Sequence, residues 1–145
     1  MKKLFLLTAC IILLIAGCAQ EEKSPLEGTW RCISVGSIQF TDTGFQAMAD
    51  NGMIKTFSKK YFTFVGHVFN DSVTLDEYGA GTYTLDGDKY EEFIIYHEIK
   101  SLIGKRFKAL DEIRNDTLIH RFNMDTVSSW QLGKGHVTEK FVRLK

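Results

Sequence analysis

Along the 145-residue chain the hydrophobic pattern changes period once. Residues 4–16 are apolar almost throughout, whereas from Gly28 onward apolar and polar residues alternate in short runs. Alternation with period two marks strands that bury one face. It predicts strands over 29–35, 54–57, 61–65, 81–85, 90–97, 105–113, 117–124 and 137–144. Turn residues separate them. Asp86-Gly87-Asp88 supplies the positive φ that a tight hairpin needs, Arg114-Asn115-Asp116 makes a second hairpin, and Gly133-Lys134-Gly135 precedes the last strand. Helical pattern is confined to a turn or two within 43–51 and another within 98–103, ended by Gly104. Short strands with regular turn signals predict an all-β, antiparallel sandwich or barrel.

The first apolar run has a different meaning. Lys2 and Lys3 precede it, and it is too short for the roughly 20 residues that a membrane-crossing helix requires. It has the form of a secretory signal. Ile15-Ala16-Gly17-Cys18 resembles the bacterial lipobox, with Ile15 where that signal most often has Leu. The resemblance implies that 1–17 is removed and that Cys18 carries the lipid, with more than one acyl chain for stable anchoring. Residues 18–25 then read as a flexible polar tether ending at Pro25, the only proline in the chain. Glu21-Glu22 just behind the cysteine resembles the surface-export signal of Bacteroides-type lipoproteins. It implies a lipid-anchored protein of the cell envelope, on the outer or periplasmic face of the outer membrane.

Composition narrows the partners. Without Lys2 and Lys3 the neutral chain becomes slightly acidic, and no basic stripe suggests nucleic acid. Cys10 leaves with the signal and Cys18 is acylated, so Cys32 is expected to be a buried thiol acting as a small hydrophobe. No intrachain disulfide or cysteine-based metal site can form. By length, 26–145 is one domain with a core of its own.

Leu26-Glu27-Gly28-Thr29-Trp30 opens the alternating region, and Phe141-Val142-Arg143-Leu144 closes it. This resembles the lipocalin superfamily, where a G-x-W on the first strand packs beneath a basic residue near the last. The resemblance implies a barrel floor made by Gly28, Trp30 and Arg143. Further stretches, among them Gly79-Ala80-Gly81-Thr82-Tyr83-Thr84-Leu85, Gly87-Asp88-Lys89-Tyr90-Glu91-Glu92 and Glu139-Lys140-Phe141-Val142-Arg143, resemble the lipocalin-like domains of uncharacterised Bacteroides-type lipoproteins. Together they imply an antiparallel up-and-down eight-stranded barrel with one or two short helical turns.

If the barrel is hollow, its wall candidates are Trp30, Phe62, Phe64, Tyr83, Tyr90, Tyr96 and Phe107. Glu92 and Arg121 are the polar groups that would orient a ligand. Alternation places Tyr90, Glu92, Ile94, Tyr96 and Glu98 on one face and Glu91, Phe93, Ile95 and His97 on the other. A buried Glu92 needs a tyrosine hydroxyl, Arg121 or a ligand donor. The leading expectation is non-catalytic binding of a small hydrophobic or amphipathic molecule. The alternative is a filled barrel whose outside, including Phe93 and Ile95, contacts an envelope protein or glycan.

Other chemistry is thin. His67, His97, His120 and His136 show no metal-ligand spacing. No nucleophile elbow, phosphate loop or dinucleotide fingerprint appears, so no catalytic residue, metal or cofactor is assigned. A hydrolase or isomerase would need Glu92 beside His97 or His120. Asp71-Ser72-Val73, Asp116-Thr117-Leu118 and Asp125-Thr126-Val127 resemble Bacteroides-type O-glycosylation acceptors, with Ser72 the preferred one.

Overall fold

A computed structural model describes residues 23–37, 46–47, 52–70, 73–123, 129–133 and 136–145. The signal segment, Cys18 and most of the tether lie outside them. So do the proposed helical residues 43–45 and 48–51, Ser72, residues 125–127 and Lys134-Gly135.

The strands are β1 (Gly28–Ser37), the two-residue β2 (Gln46–Ala47), β3 (Ile54–Phe57), β4 (Tyr61–Asn70), β5 (Val73–Asp86), β6 (Lys89–His97), β7 (Arg106–Arg114), β8 (Thr117–Phe122) and β9 (Val137–Arg143). Every pairing is antiparallel, and β3 to β9 follow one another in sequence order. β1 pairs with both β3 and β9, which closes an eight-strand barrel. β2 lies against the far half of β1. Closure removes the open edges that would otherwise template aggregation. The expected turn over 98–103 is a 3-10 turn, Lys100–Leu102.

One end holds the tight turns. Gly87 (φ 62°) and Asn115 (φ 55°) adopt the left-handed conformation those hairpins demand. The other end is the mouth, where β1 stops at Ser37, β6 at His97 and β8 at Phe122. The longest departure from the expected strands is in β4 and β5, which run on to Asn70 and back from Val73. Gly79-Ala80-Gly81 lies inside β5, where the sequence pattern shows no alternation. Pairing with β4 holds it: Phe62 is opposite Gly81 and Phe64 opposite Gly79. A Cβ on Gly81 would come within 2.0 Å of the Phe93 carbonyl oxygen. Close backbone approach, not turn formation, explains that glycine.

Gly28, Trp30 and Arg143 lie together at the closed end. Trp30 is fully buried, and its indole N–H donates to the Leu26 carbonyl at 2.7 Å. The Arg143 guanidinium lies 4.0 Å from the Trp30 ring centroid and donates to the carbonyls of Pro25 (2.7 Å) and Glu27. Gly28 has φ 126°, and a Cβ there would lie 2.8 Å from Arg143 Nη1. Ser24 and Pro25, expected to belong to the tether, are therefore tied into the floor cap. Segment 129–133 folds onto the outside of the sheet. Trp130 takes Lys108 Nζ 4.0 Å from its ring centroid and donates to the Tyr90 carbonyl, and Asn123 holds Gln131 and Gly133.

Candidate functional site

Register decides which side chains enter the barrel, because residues directly opposite on neighbouring strands share a face. Starting from Trp30, the inward set runs through Lys55 and Phe57, Phe62 and Phe64, and Gly79, Gly81 and Tyr83. It continues with Tyr90 and Glu92, Phe107, Ala109 and Asp111, then His120 and Phe122, and Glu139 and Phe141. Phe62 and Phe64 point inward together, as their shared parity requires, with parallel rings 6.5 Å apart. Phe107 packs against Phe122 at 4.9 Å.

The centre of the interior is polar. Glu92 is 6 % exposed, and its Oε2 accepts from the Tyr90 hydroxyl at 2.6 Å and from Lys55 Nζ at 3.1 Å. Lys55, also 6 % exposed, sits with its ammonium 5.5, 5.0 and 5.2 Å from the ring centroids of Phe57, Phe62 and Tyr90. Three aromatic faces and a carboxylate thus cage the protein's own ammonium. Burial pushes the Tyr90 phenol well above its ordinary range, and the adjacent Glu92 carboxylate pushes the same way. The hydroxyl stays a donor. Tyr83 faces the same interior, but its hydroxyl donates to the Ser58 carbonyl at 2.8 Å and does not join Glu92.

A second polar row crosses three strands. Asp111 on β7 is opposite His120 on β8, and His120 is opposite Glu139 on β9. His120 Nδ1 and Asp111 Oδ1 are 2.5 Å apart. Asp111 Oδ2 is buried and has no hydrogen-bond partner among the described residues. Burial raises the Glu139 carboxyl above the ordinary carboxylate range; His120 and Lys55 oppose that shift, while Glu92 and Asp111 add to it. Nearer the mouth, Glu77 faces inward opposite Gly66. Burial first, then repulsion from Glu139 and Glu98, pushes it up to about 7. Among the described residues no group of three or more His, Cys, Asp or Glu side chains is arranged to hold a metal ion. Cys32 is buried, and burial pushes its thiol up to about 12.

Two expected site residues lie elsewhere. The β5–β6 register shifts between Ala80 and Gly81, so Ile94 is opposite Gly81 while His97, not Tyr96, is opposite Gly79. A β-bulge adds one residue and reverses the parity beyond it. Tyr96 is consequently outside and 68 % exposed, and the His97 ring is inside, 5.6 Å from Phe64. Arg121 also faces out, where Glu112 accepts from it at 3.3 Å. Strict alternation correctly separated Glu91 from Glu92, and Glu91 pairs outside with Arg106 at 2.6 Å. Lys55 and Asp111 were missed as site residues. The signal for both was a charged residue at an apolar phase of a strand: Lys55 two residues before Phe57, and Asp111 two before Ile113.

Outside, apolar side chains gather across β4, β5 and β6. Val65 is opposite Tyr78, Ala80 opposite Tyr96, and Thr82 lies between Tyr61 and Phe93. Tyr61, Val65, Tyr78, Phe93, Ile95 and Tyr96 are all exposed there. An open groove of about 440 Å³ lies at the floor end, lined by Lys23, Pro25, Lys59, Lys60, Tyr83 and Leu85, and shares Tyr83 with the inward set.

No family model and no curated protein matches this sequence. Among solved structures, the barrel is similar to a lipocalin-like protein from Bacteroides uniformis. The TM-score is 0.52 at 12 % identity, over 82 % of this chain and 98 % of the other. The fold is lipocalin-like. An uncharacterized protein from Bacteroides eggerthii overlays with a TM-score of 0.48 and 15 % identity, over 82 % of this chain and 99 % of the other. The lipocalin-like barrel accounts for the up-and-down strand order and the scarcity of helix.

Proposed function

We propose that this chain is a cell-envelope lipoprotein, anchored through Cys18, whose lipocalin-like barrel binds a small, partly apolar molecule without catalysis. The observation that carries the binding reading is the gradient of burial along the interior. Trp30, Tyr90, Leu118 and Phe141 fill the floor end, while Val35, Glu77, Phe107 and Glu139 face inward yet retain partial solvent contact toward the mouth. An interior that is solvated at one end, with aromatic walls and a few fixed polar groups, suits a small ligand. The N-terminal chain meets the barrel at its floor, through Ser24 and Pro25. A lipid at Cys18 would therefore turn the floor toward the membrane and the mouth away from it.

Every barrel strand and both halves of the floor cap come from residue 24 onward, so residues 22–145 hold the whole closed sheet. Titrating that domain with the neutral apolar dye N-phenyl-1-naphthylamine tests the reading. A saturable fluorescence rise that Val35→Trp abolishes and Tyr96→Ser leaves intact is expected. No rise, or one lost only with Tyr96→Ser, contradicts it. The anchor has its own test, since labelled palmitate should enter the full chain and be absent from Cys18→Ser.

The outer apolar stripe favours a second reading, in which Tyr61, Tyr78, Phe93 and Tyr96 form the contact surface for another envelope component. Exposed patches of this kind mark interaction sites.

A further inference from the structure

We propose that the groove at the floor end, lined by Lys23, Lys59 and Lys60, seats the phosphate of an anionic lipid headgroup in the membrane that holds Cys18. This rests on the Cys18 anchor of the proposed function and names what the floor of the barrel meets there.

The anchor places the groove. Arg143 donates to the Pro25 carbonyl, and the Ser24 N–H donates to Glu27 Oε1 at 3.1 Å, so the chain is fixed to the barrel from Ser24 onward. Lys23 and Ser24 themselves line the groove. Cys18 lies five residues before Lys23, a reach of at most about 18 Å even when fully extended. A lipid at Cys18 therefore keeps this groove beside headgroups.

The opposite wall is equally fixed. Lys59 and Lys60 are exposed residues of the turn between β3 and β4, where the Ser58 N–H donates to the Tyr61 carbonyl at 2.9 Å. Tyr83 holds the same turn from β5: its N–H donates to the Lys60 carbonyl at 2.9 Å and its hydroxyl to the Ser58 carbonyl at 2.8 Å. The ammonium groups thus stand on a pinned backbone.

Charge selects the occupant. The described lining holds three lysines and no carboxylate, and the hydroxyls of Ser24 and Thr84 add donors. Other floor-end charges have partners: Asp116 has Lys145 at 3.4 Å, Glu112 has Arg114, and Asp86 lies opposite Lys89. Glu27 accepts from the Ser24 N–H. Lysine binds phosphate as a point charge, and each lysine near an anionic bilayer adds to the attraction. Glu21 and Glu22 carry the opposite sign on the tether, which favours a phosphate reaching into the groove over diffuse attraction of the whole floor.

The test couples residues 18–145 through Cys18 to a maleimide-bearing lipid; Cys32 is buried and does not compete. The vesicles are phosphatidylcholine alone or mixed with phosphatidylglycerol, and amine acetylation is read at each lysine by mass spectrometry. Phosphatidylglycerol should slow modification of Lys59 and Lys60 by about fivefold or more, the factor one lysine contributes near an anionic surface. Lys100 and Lys105 at the mouth, and Lys145 at the floor outside the groove, should change little. In Lys60→Gln, protection of Lys23 and Lys59 should fall to about twofold or less. Equal modification on both vesicles overturns the inference, as does protection that extends equally to Lys145 or ignores Lys60→Gln. Inorganic phosphate giving the same protection on phosphatidylcholine alone makes the occupant a free anion and overturns the lipid. The palmitate experiment judges the anchor separately: labelled Cys18 with unprotected groove lysines removes only the docking, whereas an unlabelled chain removes the anchor on which it rests.

Discussion

Replacing Lys55 with methionine should expose how the polar centre is held. Methionine matches the aliphatic stem and fits the cage of Phe57, Phe62 and Tyr90, so little packing is lost. What disappears is the ammonium 3.1 Å from Glu92, in a pair whose side chains are 7 % and 8 % exposed. Among the described residues the carboxylate then keeps only the Tyr90 hydroxyl, at 2.6 Å. Removing one member of a buried pair costs about 3–5 kcal/mol, because a charge is left without its partner. Tyr90 offsets part of this, so Lys55→Met should cost about 3 kcal/mol, or roughly 10 °C in Tm for a domain of this size. Glu92→Gln alone should cost a similar amount by stranding the ammonium. Lys55→Met with Glu92→Gln removes both charges, while the glutamine oxygen still accepts from Tyr90. That double variant should lie within about 1 kcal/mol of the parent, a coupling of about 5 kcal/mol. The assay is urea unfolding of all four proteins at pH 7.5. Costs below about 1 kcal/mol for Lys55→Met, or single costs that simply add in the double variant, would refute the reasoning.

Arg143→Lys should destabilise the domain by about 2 kcal/mol, since lysine cannot both stack on Trp30 and donate to the Pro25 and Glu27 carbonyls; thermal unfolding and tryptophan fluorescence would show it. Gly81→Ala should cost more than about 2 kcal/mol, because the new Cβ would meet the Phe93 carbonyl, which cannot move without breaking the β5–β6 ladder; near-normal stability in chemical unfolding would contradict the close approach. The Glu77 carboxyl is raised from 4.5 to about 7, so the folded state favours its protonated form. Its stabilising contribution is present below about 4.5 and lost as pH rises through about 7; after allowance for solvent screening it amounts to about 1–2 kcal/mol. Glu77→Gln should therefore stabilise the domain at pH 8 relative to the parent and show little difference at pH 4.5, read by thermal unfolding across that window.

Period-two patterning exposed most of this fold because a lipocalin-like barrel buries one face of each strand. That rule put Phe62 with Phe64 and Tyr90 with Glu92 on shared faces, while the inward place of Trp30 came from the G-x-W resemblance. It failed where the backbone departs from simple pleating. At the bulge near Ile95 the parity reverses, sending Tyr96 out and His97 in. Along β5 the stretch Gly79-Ala80-Gly81 carries no alternation, because the rings of Phe62 and Phe64 on β4 occupy the space its side chains would fill. The tyrosine partner of Glu92 was foreseeable from Tyr90 on the same strand face. Lys55 comes from β3, and its pairing depends on barrel closure. Asp111 and His120 meet only across a hairpin ladder that registers them.

The most direct test of the account is native mass spectrometry of residues 22–145 purified from the organism that makes the protein. A reproducible small-molecule adduct is predicted, retained in Tyr96→Ser and lost in Val35→Trp, which would block the mouth. A bare protein mass in every preparation, or an adduct lost only when Tyr96 is changed, would contradict a ligand held inside the barrel.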